Sequence, residues 1–205
     1  MKNQLKMLLL STTLAVALTT QALAAGMIDQ PRTGQTKCYD AAGKDAACSG
    51  TGQDGELRSG VAIPVPRFKD KGDGTVLDKV TGLIWLKNAN CFGAKYFTDA
   101  LTSAATLATG ACGLADGSKA GDWRLPNRNE MMSIIDVSRV NPALQLGHPF
   151  VNVVNDKYRT SSSYAGDTIY SAWLVHVGSG AADYGSIGNN NKNYNNYVWP
   201  VRAGQ

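Results

Sequence analysis

The chain is expected to pass from a strand into a helix at residues 121–131, which read Gly-Asp-Trp-Arg-Leu-Pro-Asn-Arg-Asn-Glu-Met. Trp123 and Leu125 alternate with polar residues, as on a strand with one buried side. Asn127 is a favoured helix N-cap, and Glu130 stands three residues later, where its carboxylate can reach back to the cap N–H. The stretch therefore predicts a helix that opens with a capping box. Its buried face is expected to comprise Met131, Ile134 and Ile135.

The same stretch has a functional interpretation, in which it lines a binding site. We favour a scaffold role, because apolar side chains that alternate up to a helix cap are how a strand meets a helix. Trp123 and Leu125 are then expected in the core, and Arg124 is expected to pair with Asp136 or Glu130.

A β-hairpin is predicted upstream, where two strand-like arms between Phe68 and Asp78 flank the turn Gly72-Asp73-Gly74. Residues 81–86 continue as a buried apolar strand. Residues 61–68 suit only an edge strand, because their two prolines cannot donate to a sheet. Helical spacing of apolar residues predicts a first helix at 96–108. Its core face is expected to comprise Phe97, Leu101, Ala104, Ala105 and Ala108.

The sequence after residue 158 is typical of β structure. Strand patterns at 171–177, 182–187 and 197–202 are separated by a Gly-Ser-Gly turn and by a loop at 189–196. On the last strand, alternation places three residues on one side and Arg202 on the other. Those three are Tyr197, Trp199 and Val201. The order of hairpin, two helices and antiparallel meander predicts an α+β fold in which the helices pack on antiparallel sheet.

The N-terminus has the form of a secretory signal peptide. Lys2 and Lys6 precede an apolar run over residues 7–18, and Ala22-Leu23-Ala24 matches the small-residue pattern at a cleavage site. We therefore expect residues 1–24 to be removed and the product to be periplasmic, secreted or at the cell surface. No later stretch approaches the ~18 apolar residues of a membrane span.

Beyond the signal peptide, composition divides the chain in two. Residues 25–65 are poor in large apolar side chains and are expected to form an irregular extension, and residues 66–205 the main domain. Without Lys2 and Lys6 the chain carries 18 Lys and Arg against 16 Asp and Glu. The basic residues are scattered, so we expect no nucleic-acid partner.

Four cysteines lie beyond the signal peptide: Cys38, Cys48, Cys91 and Cys112. Four cysteines allow three pairings, and an even number in an exported chain indicates disulfides. We favour Cys38–Cys48 and Cys91–Cys112, because each pair closes a short local loop. A zinc site is not expected, since both histidines, His148 and His176, lie far from any cysteine.

Metal and catalytic patterns are weak. Asp70, Asp73 and Asp78 bracket glycines, which hints at calcium, but the register fails the EF-hand pattern and a tight turn explains the same residues. His148 and His176 have no nucleophile or carboxylate at motif spacing, and we expect both to be structural. We therefore expect no metal, no cofactor and no enzymatic activity.

Four segments together resemble the domain at the C-terminus of the Legionella collagen-like adhesin. They are residues 72–85, residues 121–131, the Ser161-Ser162-Ser163-Tyr164 run and residues 197–205. The resemblance implies a C-type-lectin-like fold without the usual calcium-dependent sugar motif, and binding of sulfated polysaccharide. It also implies a trimer held by a collagen stalk, but this chain has no Gly-X-Y repeat, so its oligomeric state stays open.

The Asn-rich stretch near the C-terminus is the predicted binding surface. Six of the eight residues at 189–196 are asparagine. One interpretation is an ordered, well-solvated loop that only connects two strands. We favour a ligand face for a polysaccharide or a cell-surface protein, because amides hydrogen-bond sugar hydroxyls and tyrosines stack on rings or anchor proteins. The predicted site residues are Tyr184, Asn189, Asn190, Asn191, Lys192, Asn193, Tyr194, Asn195, Asn196, Tyr197 and Arg202.

An enzymatic alternative follows from a second likeness. The Arg-Leu-Pro segment before an acidic helix is also similar to the formylglycine-generating fold. That chemistry depends on a reactive cysteine pair late in the domain, and this chain has no cysteine after Cys112. The binding-module interpretation is therefore preferred over the enzymatic one.

Overall fold

The computed structural model describes residues 30–179 and 191–204, and the signal-peptide and 182–187 strand predictions lie outside them. The described chain is a mixed α+β structure with short strands and few helices, as predicted. The α-helices are α1 (Asp54–Leu57), α2 (Phe97–Ala105) and α3 (Arg128–Ser133). The strands are β1 (Cys38–Tyr39), β2 (Asp45–Ala46), β3 (Phe68–Asp70), β4 (Thr75–Asp78), β5 (Ile84–Leu86), β6 (Ala94–Lys95), β7 (Lys157–Ser163), β8 (Ala172–His176), β9 (Asn196–Tyr197) and β10 (Val201–Arg202).

The first four-stranded sheet has the order β10-β5-β4-β3, and all of its pairs are antiparallel. β3 and β4 form the hairpin that the glycine-rich turn predicted. β5 is buried along its whole length, as predicted, but the strand begins at Ile84 and not at residue 81, and residues 81 and 82 are exposed. Val76 and Trp85 pair across β4 and β5 and are fully buried, so one face of this sheet forms the centre of the core.

The second four-stranded sheet has the order β6-β9-β7-β8. β7 and β8 are antiparallel, whereas β7 and β9 run parallel. The prediction of a purely antiparallel meander is therefore wrong in the described residues. Alternation within a strand reveals its buried face but not the direction of its neighbour, which depends on the course of the whole chain.

The predicted single strand at 197–202 is wrong, because the chain leaves one sheet and enters the other within it. β9 ends at Tyr197 in the second sheet, and β10 begins at Val201 in the first. Pro200 has no N–H to donate to a ladder, which disfavours a continuous strand through this position. The intervening residues are fully enclosed, and Trp199 donates from Nε1 to the Leu86 carbonyl at 2.8 Å.

Helix α2 is shorter than predicted and turned about its axis. It ends at Ala105, and it buries Ala100 and Ala104. Leu101 and Ala105, both predicted to face the core, are exposed. The small alanine side chains allow close packing, and the nearby Leu107 is buried beyond the helix end. The predicted face is therefore only partly right: Ala104 is buried as expected, but apolar residues occur on several sides of this segment, and spacing alone could not select among them.

Helix α3 begins as the sequence predicts. The Asn127 side chain accepts from the Glu130 N–H at 2.9 Å, and the Glu130 carboxylate accepts from the Asn127 N–H at 2.8 Å. The predicted core residues Met131, Ile134 and Ile135 are buried. Of its two predicted partners, Arg124 pairs with Glu130, through two bonds of 2.7 Å.

The first segment of the described chain lies against the main domain without joining either large sheet. Its β1–β2 hairpin is closed by the Cys38–Cys48 disulfide, and Cys91–Cys112 links the region before α2 to the loop after it. Both predicted pairings are confirmed. The predicted edge strand at 61–68 is wrong, because only an isolated parallel bridge joins Val61 to Pro31 and β3 begins at Phe68.

We expect Asn127→Ala to lower the free energy of unfolding by about 1 kcal/mol, because the substitution removes the side-chain acceptor of the capping box. Urea denaturation followed by tryptophan fluorescence measures the change. Asn129→Ala is the matched control: Asn129 is exposed in the same helix and is not the cap, so its loss should cost less than about 0.5 kcal/mol. Equal losses in the two variants would contradict a specific capping role.

Candidate functional site

The Asn-rich segment is partly described. Residues 191–193 form a 3-10 turn that leads through Tyr194 and Asn195 into β9. Asn193, Tyr194 and Asn195 expose their side chains, whereas Asn196 and Tyr197 are half-buried in the sheet. The predicted site residues Tyr184, Asn189 and Asn190 lie outside the described residues, and for Asn191 only the backbone is described.

Arg159 on β7 fixes the backbone of the Asn-rich segment. Its side chain is fully buried, and it donates from Nε to the Lys95 carbonyl at 3.1 Å and from Nη2 to the Tyr194 carbonyl. Burial lowers the pKa of Arg159 to about 10, so the guanidinium is still charged at neutral pH. A charged donor therefore ties the segment to β6 and β7, and this leaves the Tyr194 side chain free to face solvent.

Lys192 also holds the Asn-rich segment in place, through hydrogen bonds to residues 163, 168 and 170. Its backbone N–H donates to the Tyr170 carbonyl at 3.0 Å, and its Nζ donates to Ser163 Oγ at 3.2 Å and to the Thr168 carbonyl. The ammonium also lies 4.8 Å from the centre of the Phe97 ring. Lys192 is therefore largely engaged within the protein, and its first role is to position the segment.

A shallow groove of about 560 Å³ lies between this segment, the start of α2 and the turn before β8. We call it the loop groove; its lining residues are Tyr96, Phe97, Thr98, Asp99, Ile169, Lys192 and Asn193. Tyr170 and Tyr194 are the chain neighbours of two lining residues. Tyr96, Ile169, Tyr170 and Tyr194 are between 48 and 73 % exposed. This is a concentration of apolar surface on loops, beside amide side chains.

Three of these residues were missed by sequence reasoning. Tyr96, Ile169 and Tyr170 lie far from the Asn-rich segment in the chain and reach it only through the fold. The Tyr170 carbonyl accepts from the backbone of Lys192, which brings the turn before β8 against the loop. No local spacing pattern could signal that contact, although an exposed Ile-Tyr pair in a polar turn is a weak hint of a surface.

Arg202 lies elsewhere. It belongs to β10 in the first sheet, where its Nη2 is 3.1 Å from Asp116 Oδ2 and its guanidinium is 5.4 Å from the Trp123 ring centre. Only 11 % of its side chain is exposed. The structure therefore gives Arg202 an internal partner and does not bring it to the loop groove. Tyr197 likewise packs on Tyr158, with ring centres 5.7 Å apart.

The acidic residues considered for calcium each have a partner in the protein. Asp70 accepts from Lys87 at 2.6 Å, Asp73 accepts from the Thr75 N–H at 3.0 Å, and Asp78 pairs with the buried Arg67 at 2.7 Å. Across residues 30–179 and 191–204, no three His, Cys, Asp or Glu side chains converge as metal ligands would.

The two histidines are apart from the loop groove. His176 accepts at Nδ1 from the N–H groups of Gly178 and Ser179, both at 3.1 Å, which shapes the turn after β8. His148 lies 5.8 Å from the Phe150 ring centre, and burial lowers its pKa. None of the helices in the described part of the chain has the length and apolarity to cross a bilayer.

We expect Arg159→Met to loosen the Asn-rich segment, because the Lys95 and Tyr194 carbonyls lose their charged donor. The free energy of unfolding should fall by about 1–3 kcal/mol, and amide exchange in residues 192–198 should speed up. Hydrogen-exchange mass spectrometry measures the second effect. Arg128→Met is the control: Arg128 stacks on Trp173 at 4.6 Å and does not bond the segment, so exchange there should be unchanged. Unchanged exchange in Arg159→Met would refute the anchoring role.

Comparison with known proteins relates the sequence of this chain to a protein family. The family model described as the Lcl C-terminal domain matches residues 74–202, which is more than half of the chain. No curated protein and no solved structure gives a significant match. The adhesin-like character of the family and the two disulfides fit an extracellular or secreted protein. The matched segment contains the whole second sheet, β4, β5 and β10 of the first, both α2 and α3, and every lining residue of the loop groove, and the chain belongs to the Lcl C-terminal domain family.

Proposed function

We propose that this chain is an exported, non-catalytic binding module that recognises a surface polysaccharide through the loop groove. The observation that carries the proposal is the set of half-exposed tyrosines, Tyr96, Tyr170 and Tyr194, around a groove that also presents Asn193. Tyrosine faces stack on the apolar faces of sugar rings, and amides both donate to and accept from sugar hydroxyls.

The anchoring of the groove supports recognition rather than a plain connection. Arg159 and Lys192 hold the backbone of the segment, so its exposed side chains are presented on a fixed frame. A preorganised surface binds with a smaller loss of conformational entropy than a mobile loop. Function is commonly carried by loops on a rigid scaffold.

The charge of the loop groove favours a weakly charged polysaccharide region over a densely sulfated one. Lys192 and Asp99 are the ionisable side chains of opposite sign that line it, and the ammonium already has acceptors. A sulfated chain would have to share Lys192 with those acceptors. Its affinity would fall as salt rises, because exposed charges are screened beyond about 8 Å at physiological ionic strength.

A C-type-lectin-like fold is part of the proposal. The four quoted segments, the α+β element order and the Cys91–Cys112 disulfide support it. The non-catalytic assignment rests on chemistry: all four cysteines are in disulfides, so the thiol that the formylglycine-generating reaction needs is missing. Turnover of a peptide substrate in a copper- and thiol-dependent oxidase assay would overturn it.

A protein partner is the second candidate, and Ile169 favours it. Its aliphatic side chain is 73 % exposed beside Tyr170, and it cannot hydrogen-bond a sugar. Exposed aliphatic and aromatic side chains side by side are typical of protein contact surfaces.

The test is a glycan array and a protein pull-down with residues 25–205, comparing wild type with the triple variant Asn193→Ala, Tyr194→Ala, Asn195→Ala. These three side chains are exposed, so the variant should fold with an unchanged melting temperature. We expect it to lose the glycan signal, and Tyr194→Ala alone should weaken binding by up to about tenfold. Tyr39→Ala, an exposed tyrosine in the β1–β2 hairpin, is the matched control.

Ile169→Ala separates the two candidates. A polysaccharide should tolerate this change with less than about a threefold loss, whereas a protein that buries Ile169 should lose about tenfold or more. Full glycan binding by the folded triple variant would remove the site from the loop groove.

A further inference from the structure

A second groove, of about 500 Å³, lies between residues 32–65, here called the N-terminal segment, and residues 136–146. It shares no lining residue with the loop groove. Three arginines line it, Arg32, Arg58 and Arg139, and all three are exposed. We call it the arginine groove.

Most of this positive charge has no counterion among the described residues. Asp136 is the acidic residue in the lining, and its Oδ1 already accepts from the Ser138 N–H and Oγ at 3.0 and 2.6 Å. Its Oδ2 lies 3.7 Å from Arg139. Asp136 therefore pairs with Arg139 and not with Arg32 or Arg58. Within residues 30–179 and 191–204, neither forms an ion pair with a carboxylate. Each donates Nε to a backbone carbonyl, Arg32 to Gly60 and Arg58 to Gly55, both at 3.2 Å.

The arginine groove is held in shape by backbone contacts. Val137 N–H donates to the Thr33 carbonyl at 3.1 Å. The Gln145 side chain hydrogen-bonds the backbone at both ends of residues 64–67. Gly34 packs so closely on Asp136 that a Cβ at position 34 would lie 2.3 Å from the carboxylate. The N-terminal segment therefore forms one wall of a defined surface.

Arg58 occupies a backbone position that suits glycine. It caps α1 in the left-handed region with φ 44°, where a side chain is strained and glycine is common. Replacing Arg58 with glycine should relieve that strain. The chain nevertheless carries an arginine here, facing a groove that contains two others.

Apolar side chains flank these cations. Val65 is 89 % exposed and Leu146 is 77 % exposed, and both line the arginine groove with the half-buried Ile63. None of the described residues in its lining is aromatic. Sugar rings are bound by stacking on aromatic faces, whereas aliphatic side chains beside arginines match a peptide that alternates carboxylates with aliphatic residues.

We propose that the arginine groove is a docking site for an acidic, aliphatic-rich peptide segment of a protein partner. Carboxylates of the peptide accept charge-assisted, bidentate hydrogen bonds from Arg32 and Arg58, and its aliphatic side chains pack on Val65 and Leu146. The site is independent of the loop groove, so the domain would engage two different ligands.

The test uses fluorescence polarisation with residues 25–205 and a labelled hexapeptide of alternating glutamate and leucine. We expect saturable binding that weakens with salt, and about tenfold weaker binding by Arg58→Gly, since a charge-assisted pair is worth about that factor. The urea midpoint of Arg58→Gly should be equal to wild type or higher, so a binding loss cannot come from unfolding. Lys119→Ala, which removes an exposed cation outside the groove, should bind as wild type.

Two further probes separate the peptide from other anions. A hexapeptide of alternating glutamate and serine should bind about tenfold more weakly, because it lacks the aliphatic contacts. Equal binding of both peptides, tighter binding of dextran sulfate through Arg58, or absence of saturable binding would overturn the proposal. The triple variant of the loop groove should bind the hexapeptide normally, so that failure of one site is distinguishable from failure of the other.

Discussion

The structure depends on the enclosed crossing of residues 198–201 between the two large sheets. Trp199 is fully buried there, and its ring packs against Trp85, Phe150 and Tyr158 with centres 4.8–5.6 Å apart. The indole N–H is satisfied by the Leu86 carbonyl, so the large ring adds apolar burial without leaving a buried donor unpaired. One residue therefore couples β5 of the first sheet to β7 of the second.

The 121–131 stretch completes this arrangement from the other side. Arg124 and Val201 exchange two backbone hydrogen bonds of 2.9 and 3.0 Å, which covers the outer edge of β10. The Arg124 side chain then leaves the sheet to meet Glu130 at the start of α3. A single residue thus protects a sheet edge with its backbone and orients a helix with its side chain, which agrees with the scaffold role favoured from the sequence.

Local chemistry made some parts of the fold predictable. The capping box of α3, the hairpin around Gly72-Asp73-Gly74 and both disulfide pairings depend on residues close together in the chain, and all are confirmed. The failures are long-range. The parallel β7–β9 contact and the exposed Leu101 depend on neighbours that alternation and helical spacing do not identify.

Some features of the candidate site could likewise be predicted from local sequence, and others could not. Composition drew attention to the Asn-rich segment, and the exposed Tyr194 lies there. Local sequence could not show that Lys192 is engaged by Ser163 and Thr168, or that Tyr96 and Ile169 border the same groove. Arg202 illustrates the limit: it is five residues from Tyr197, yet it belongs to another sheet and another ion pair.

The crossing also has a kinetic consequence. Val201 pairs with Trp85, so the first sheet is completed by partners more than a hundred residues apart in the chain. Contacts of such high sequence separation make folding slow, because loop closure has to precede the stabilisation that the contact brings. Neither sheet can close until residues 196–202 are available. The two native sheets are therefore complete only after β9 and β10 have joined them, so the last residues of the chain set the point at which the core around Trp199 can form.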